Sequence, residues 1–328
     1  MLRFEPAPTA RPSAGAARSL IDSAAEIVSI QVNFTTSIKG SATMKPAPFI
    51  RHVPRTVEQV ANALAEFAPL DGRILAGGQS LVPIMAFRMA RPAHLIDINE
   101  VEGLDRLAAS GDTLSIGARV RHAAFHKPVV EGPLGPLLSF VVRHIAHYPI
   151  RMRGTFCGSL AHADPSSEWC LTAVTLGATL VANSVRGERL IEVGDFLEGI
   201  MSTSLAEDEF LAEARLPLPA ADTKFGFYEF SRRAGDFAMA AALTSYRLAD
   251  GVMVEARVGI GGAEATPRRI TEAEALLNGR PPGIEVFRVA AEAAAETIDP
   301  LEDSQTTGEY RRDLVRAVTR RALERAGA

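Results

Sequence analysis

The stretch Arg73 to Ile98, RILAGGQSLVPIMAFRMARPAHLIDI, constrains this 328-residue chain more than any other. Arg73 to Ala76 reads as a strand that stops at two adjacent glycines, Gly77 and Gly78. The polar pair Gln79-Ser80 follows, then Leu81-Val82-Pro83 and a segment of helical character from Ile84 to Met89. The chain then returns to a strand-like piece, Leu95 to Ile98, which carries Asp97. Glycines at a strand end let backbone N–H groups approach an anion with no Cβ in the way. Ser80 adds a hydroxyl donor, and the start of a helix adds the favourable end of its dipole. By itself this is a weak phosphate-loop signal, and a plain tight turn explains it equally well.

A second unusual stretch, Gly154 to Glu168, reads GTFCGSLAHADPSSE. Gly154, Thr155, Gly158 and Ser159 supply small residues and hydroxyls where a chain must pass close to a ligand, and His162, Asp164 and Glu168 follow. It lies about eighty residues after the first loop. Two such loops could clamp a diphosphate from two sides, and their joint occurrence weakens the reading of each as a mere turn. A third segment, Arg232-Arg233-Ala234-Gly235-Asp236-Phe237, sets two arginines beside a glycine turn. Those arginines could reach a phosphate, anchor an adenine or salt-bridge a neighbouring domain.

The bulk numbers narrow the class. A net charge of −4, from 35 basic and 39 acidic residues, lacks the basic excess of a nucleic-acid binder. Two cysteines, Cys157 and Cys170, make a disulfide framework improbable on count and fit a reducing, cytoplasmic setting. They are also too few for an iron–sulfur cluster, which takes about four thiolates. The longest uncharged run, Trp169 to Val185, contains threonines, an asparagine and a serine, and reads as buried helix and strand instead of a membrane span. Glu5, Asp22 and Glu26 interrupt any secretory apolar region near the N-terminus.

Along the chain, residues 1–43 are rich in Ala, Ser, Pro and Thr and read as a leader or disordered tail, with Met44 a candidate natural start. Thr56 is a good N-cap with Gln59 at the capping-box position, and Val57, Val60, Ala61 and Leu64 form the apolar face of the helix that follows. Strands are expected at Leu114–Gly117, Ala178–Ala182, Phe210–Leu216 and Val252–Gly261. Helices are expected around Val120–Phe125 and at Leu134–His144, Leu171–Leu176, Thr271–Leu277 and Glu285–Thr297, with an amphipathic one at Tyr310–Ala326. Pro217-Leu218-Pro219-Ala220 marks a domain boundary. The mixture places the chain in the α/β or α+β class.

Other signals carry less. Gly259-Ile260-Gly261-Gly262 is half a dinucleotide fingerprint without its third glycine, and reads as a turn. His144 and His147 lack a nearby carboxylate or cysteine to complete a metal site and read as structural. Ser159, His162 and Asp164 are hydrolase residue types without a nucleophile elbow. Cys157 reads as a small buried residue and Trp169 as core.

Taken together, AGGQSLVP, LIDI, GTFCGSLAHADPSSE and RRAGDFA occur in the order found in the FAD-binding medium subunits of molybdenum hydroxylases, the xanthine dehydrogenase and carbon monoxide dehydrogenase type enzymes. The chain resembles that family from Met44 to its end. The resemblance implies an α+β fold: a two-subdomain FAD-binding domain of the PCMH type over residues 44–220, divided near residue 100, and an α+β C-terminal domain over 221–328. It implies FAD, held at its diphosphate by Ala76, Gly77, Gly78, Gln79, Ser80 and Leu81 on one side and by Thr155, Cys157, Gly158 and Ser159 on the other. Asp164 is implied near the ribose and ribityl hydroxyls, and Arg232, Arg233 and Asp236 near the flavin. It also implies an electron-transfer role beside a molybdopterin-binding large subunit and a small subunit with two [2Fe–2S] clusters, as a dimer of heterotrimers serving an external electron acceptor. Cys157 stands where the family usually has a glycine, which predicts strain of about 1 kcal/mol or more should that residue need a positive φ. A stand-alone flavin oxidase or reductase, and a non-catalytic flavin-binding module, are the rival readings. Gln79 in place of a histidine argues against a covalent flavin link at the first loop.

Overall fold

The computed structural model describes residues 29–31, 45–304 and 306–327. The reading of residues 1–43 as a tail lies outside the described residues, apart from the strand β1 (Ser29–Gln31). β1 is followed by β2 (Ile50–His52), α1 (Val57–Phe67), β3 (Gly72–Leu75), α2 (Leu81–Ala86) and β4 (His94–Asp97). The strands form one sheet in the order β1-β2-β4-β3, with β2 and β3 parallel to β4 and β1 antiparallel to β2. Thr56 caps α1 by accepting from the Gln59 amide at 3.2 Å, and Gln59 Oε1 accepts in turn from the Arg55 amide at 2.7 Å. These bonds satisfy donors that a helix start leaves without partners. The helix after the glycine loop begins at Leu81, earlier than Ile84, because a proline is tolerated in a first turn and Pro83 sits there.

The second unit comprises β5 (Leu107–Ser110), β6 (Thr113–Gly117), α3 (Leu134–Val141), α4 (Tyr148–Arg151), α5 (Phe156–His162), α6 (Glu168–Leu176), β7 (Thr179–Ser184), β8 (Gly187–Glu192), α7 (Val193–Phe196), β9 (Leu197–Gly199), β10 (Ser202–Thr203) and β11 (Phe210–Pro217). Its antiparallel sheet runs β5-β6-β11-β7-β8, and β9 pairs with β10. Two expectations change here. Val120–Phe125 is not an α-helix; a 3₁₀ helix covers His122–His126. The cause is tertiary: Arg121 bridges Thr155, and Val120 O accepts from the Phe156 amide, which keeps Val120 and Arg121 extended against the second loop. The helix from Leu134 also ends at Val141, short of His144, as the chain tightens into turns.

The last unit contains β12 (Lys224–Phe230), β13 (Ala240–Ala249), β14 (Val252–Gly261), β15 (Arg268–Arg269), α8 (Thr271–Leu277), α9 (Ile284–Thr297) and α10 (Gly308–Gly327). Its sheet runs β12-β13-β14-β15, all antiparallel. Leu314, Val315, Val318 and Leu323 of α10 are buried in a core with α8, α9 and one face of this sheet. The opposite face meets α6. Gly259 and Gly261 end β14, the strand expected at Val252–Gly261, and the chain turns only at Gly262, with φ +75°; a Cβ on Gly259 would stand 1.8 Å from Thr175 Oγ1, and one on Gly261 3.3 Å from Leu171 Cβ. Their smallness lets α6 approach the strand, which accounts for the half fingerprint without a nucleotide. Among the described residues, no helix is long and apolar enough to cross a membrane.

Candidate functional site

The C-terminal ends of parallel β3 and β4 leave the sheet side by side, with Leu75 paired to Asp97. The loop after β3 opens there into a cleft of about 380 Å3. Ala76, Gly77, Gly78, Gln79, Ser80 and Leu81 line one side, and Gly154, Thr155, Cys157, Gly158 and Ser159 the other. The two glycine loops therefore face each other across one cavity, at the end of the strands where open α/β sheets place ligands. The loops also touch. A Cβ on Gly77 would meet Arg153 O at 2.4 Å and Gly154 Cα at 2.7 Å. Gly78 adopts φ +72°, a left-handed backbone that suits glycine.

A network of buried polar groups fixes this contact. Asp97, buried at the end of β4, pairs with Arg51 at 2.6 Å and accepts from the Asn99 amide at 3.0 Å and from Asn99 Nδ2 at 2.5 Å. Asn99 Nδ2 also donates to Ala76 O at 2.8 Å, gripping the first loop. Arg121 donates to Asn99 Oδ1 and to Arg153 O, reaching the second loop from the same hub. Gln79 Nε2 braces its own loop by donating to Gly77 O at 3.0 Å. Asn99 and Arg121 were not legible as site residues in the sequence, and Asp97 was noted without a role. Their only local signal is that Asn99 follows the strand LIDI.

The second loop caps its own helix. Thr155 Oγ1 accepts from the Gly158 amide at 3.0 Å, and a Cβ on Gly158 would stand 2.6 Å from that oxygen. Cys157 is the second residue of α5 and is absent from the residues of positive φ, so the strain expected for a non-glycine there does not arise. Its thiol is buried and donates to Ile116 O at 3.3 Å, and burial, aided by Glu213, pushes it far up. Among the described residues, the amides of Gly77, Gly78, Gln79, Ser80 and Cys157 have no protein acceptor. That cluster of donors suits an anion, and glycine at 77 and 158 lets the protein backbone and the Thr155 cap pack directly against the loops. Glu209 also borders the cleft, with its charge matched by Arg189 at 2.6 Å, which holds its carboxyl below the usual range.

Residues 47–219 match the family model described as the FAD binding domain in molybdopterin dehydrogenase, and residues 225–326 match the CO dehydrogenase flavoprotein C-terminal domain. The nicotine 6-hydroxylase medium subunit of Paenarthrobacter nicotinovorans is 38% identical over 86% of this chain and 98% of its own length. The chain belongs to the FAD-binding medium subunits of molybdenum hydroxylases. The caffeine dehydrogenase subunit beta of a Pseudomonas species, strain CBB1, is also 38% identical, over 86% of this chain and 96% of its own. Among solved structures, a carbon monoxide dehydrogenase from Hydrogenophaga pseudoflava superposes with a TM-score of 0.82 at 32% identity, covering 86% of this chain and 98% of that one. This medium subunit is thus an FAD-binding α+β component of an oxidoreductase.

The medium subunit keeps its third motif outside the cleft. Arg232, Arg233 and Asp236 are exposed on the turn between β12 and β13, where the Asp236 amide donates to Arg233 O at 3.0 Å. Gly235 adopts φ +88° and packs on His147, whose ring would lie 2.6 Å from a Cβ there. Asp164 accepts from the Ser166 amide at 2.8 Å, and Ser166 Oγ donates to Ala238 O at 2.9 Å. The Asp164–Ser166 turn and the RRAGDFA turn are therefore joined to each other at the boundary between the second and last units. His144 packs at a tilt against Phe140 and Phe227 and takes no part in the cleft.

The same boundary holds a pair of carboxyls, Glu168 on α6 and Glu229 on β12, within hydrogen-bonding reach of each other. Burial pushes both up; Asp164 adds to the shift at Glu168, and the Glu168 carboxyl adds to that at Glu229. One proton stays on the pair at neutral pH, because burial and the repulsion between two carboxylates disfavour charging both. A group that binds its proton more tightly when folded stabilises the fold fully below its unfolded value, about 4.3, and loses that contribution as pH rises past neutrality. Glu229→Gln is accordingly expected to stabilise the protein on the order of 1–2 kcal/mol more at pH 8 than at pH 5. Urea unfolding at both pH values measures this. An equal effect at both would show that the pair does not share a proton.

Proposed function

We propose that this chain is the electron-transfer subunit of a three-component molybdenum hydroxylase, with residues 44–220 carrying FAD and 221–328 forming the C-terminal domain. The observation that carries the reading is the single cleft that two loops, distant in sequence, line together with residues whose amides have no protein acceptor among the described residues. In this reading Ala76 to Leu81 and Thr155 to Ser159 hold the diphosphate through backbone N–H groups, with Ser80 adding its hydroxyl. The Asp97–Asn99–Arg121 hub keeps the two sets of donors at a fixed separation. Gly78 permits the left-handed turn of the first loop, and Gly158 lets the Thr155 hydroxyl cap the helix of the second. The Asp164 turn and the Arg232–Asp236 turn, joined through Ser166 and Ala238, form the wall toward the flavin.

Bound FAD supplies the redox chemistry, taking electrons from [2Fe–2S] clusters of a small subunit and passing them to an external acceptor. The chain's own residues then need only position it and exclude competing reactions. Hydroxylation belongs to the molybdenum cofactor of a large subunit, in a cytoplasmic dimer of heterotrimers. Both cysteines are buried, and neither is placed to bind a cluster.

The test is reconstitution. The purified chain is expected to show a flavin absorption band that bleaches when the chemically reduced iron–sulfur partner is added. A flavin that stays oxidised beside the reduced partner, or an isolated chain that oxidises an organic substrate unaided, would overturn the relay.

A further inference from the structure

Two histidines line the cleft, His162 on α5 and His122 behind Gly154, and the roles above leave the buried one, His122, unused. It is only 4% exposed, yet it lines the cavity. Trp169 Nε1 donates to His122 Nδ1 at 2.9 Å. An indole nitrogen is a donor only, so Nδ1 must accept, and the neutral ring must carry its proton on Nε2. Burial, helped by Arg121 and Arg151, holds the imidazolium pKa down to about 3, which keeps the ring neutral across the physiological range. Trp169 is itself fully buried against Phe125 and Phe156, so the indole cannot turn away.

Nε2 lies against Gly154: a Cβ on that glycine would stand 2.5 Å from it. Among the described residues Nε2 has no protein acceptor, and it is not among the polar atoms sealed from solvent without a partner. A buried donor with its tautomer imposed from behind, on a residue that lines a cavity, is placed to meet an acceptor there. The residue against it is Gly154, which packs in turn on Gly77 of the first loop.

We propose that His122 Nε2–H is a further diphosphate-binding donor of this site, acting from below the second glycine loop and oriented by Trp169. This rests on the reading of the two loops as a diphosphate clamp. A neutral imidazole adds a directional bond without fixing a cation beside Arg121 and Arg151, where a charged ring would be repelled. It also explains why residue 154 is glycine, since any side chain would fall on the ring and close the path from Nε2 to the ligand.

The full-length chain, stripped of flavin, is titrated with FAD and with ADP, a probe that carries the diphosphate without the flavin. His122→Leu is expected to weaken both by roughly tenfold, the loss of one hydrogen bond to a charged acceptor. His122→Gln, which can return an N–H near the Nε2 position, is expected to recover most of the affinity. In the wild type, a long-range proton–nitrogen spectrum is expected to show Nδ1 unprotonated and the Nε2 signal shifting when ADP is added, which a packing role would not produce. Unchanged FAD affinity in His122→Leu, while Gly77→Ala still weakens binding, would overturn the role of His122 and leave the clamp standing. Unchanged affinity in both variants would overturn the clamp itself. Weakened FAD with unaffected ADP would place the donor away from the diphosphate and overturn the assignment.

Discussion

Gly77→Ala is expected to leave a folded protein that loses its FAD, with affinity reduced roughly a hundredfold. The added methyl meets Arg153 O at 2.4 Å and Gly154 Cα at 2.7 Å. Both are backbone atoms held in place, Arg153 O by Arg121 and Gly154 by its amide bond to Ile150 O at 2.8 Å. No flexible side chain can yield, so the loops themselves must separate, and overpacking of this kind costs about 1–3 kcal/mol. Separation also moves one set of amide donors relative to the other, and each bond lost to a charged acceptor is worth about 1.5–3 kcal/mol. Gly194→Ala is the control, because a Cβ there meets nothing within 4 Å. The flavin-to-protein ratio after purification and an FAD titration measure the effect. Full FAD occupancy in Gly77→Ala would mean that the two loops do not act together on the ligand.

Asp97→Ala carries the second large effect, and it strikes stability as well as the cofactor. Its carboxylate is 4% exposed and accepts from Arg51 and twice from Asn99. Removing it leaves a half-buried guanidinium and the Asn99 donors without their acceptor. Breaking a fully buried ion pair from one side costs about 3–5 kcal/mol, and the partial exposure of Arg51 lowers the expectation here to about 2–4 kcal/mol. Asn99, no longer held, loses its grip on Ala76 O, so FAD retention is expected to fall too. Asp97→Asn keeps an oxygen for the Asn99 amide and loses the ion pair, which places it between wild type and alanine. Urea unfolding followed by fluorescence gives the stability change. A loss under 1 kcal/mol with normal FAD content would show that the hub does not hold the loop.

The glycine loops were legible because each signals locally. A strand that ends in Gly77-Gly78 and a run of small and hydroxyl residues at Gly154, Thr155, Gly158 and Ser159 need no knowledge of the rest of the chain. The helix over Val57–Phe67 and the terminal helix were readable for the same reason, from caps and from apolar spacing. One reading went astray where a distant partner intervened, and two more were settled by one. Val120 and Arg121 are extended because Thr155 and Phe156 hold them there. Gly259 and Gly261 are small because α6 crosses them. Cys157 escapes the strain expected of it because its position lies within a helix, with its thiol directed to Ile116 O.

The sequence by itself determined the two loops, their order, their glycines and the family they belong to, since backbone freedom and helix capping are properties of neighbouring residues. Only the tertiary structure decided that the loops meet. That contact depends on Gly77 lying against Arg153 and Gly154, and on Asp97, Asn99 and Arg121 arriving from three separate segments to hold it. Hydrogen bonds and close packing between residues far apart in the chain leave no periodicity or spacing for a sequence to display, which is why His122 and its indole partner became visible only in the folded molecule.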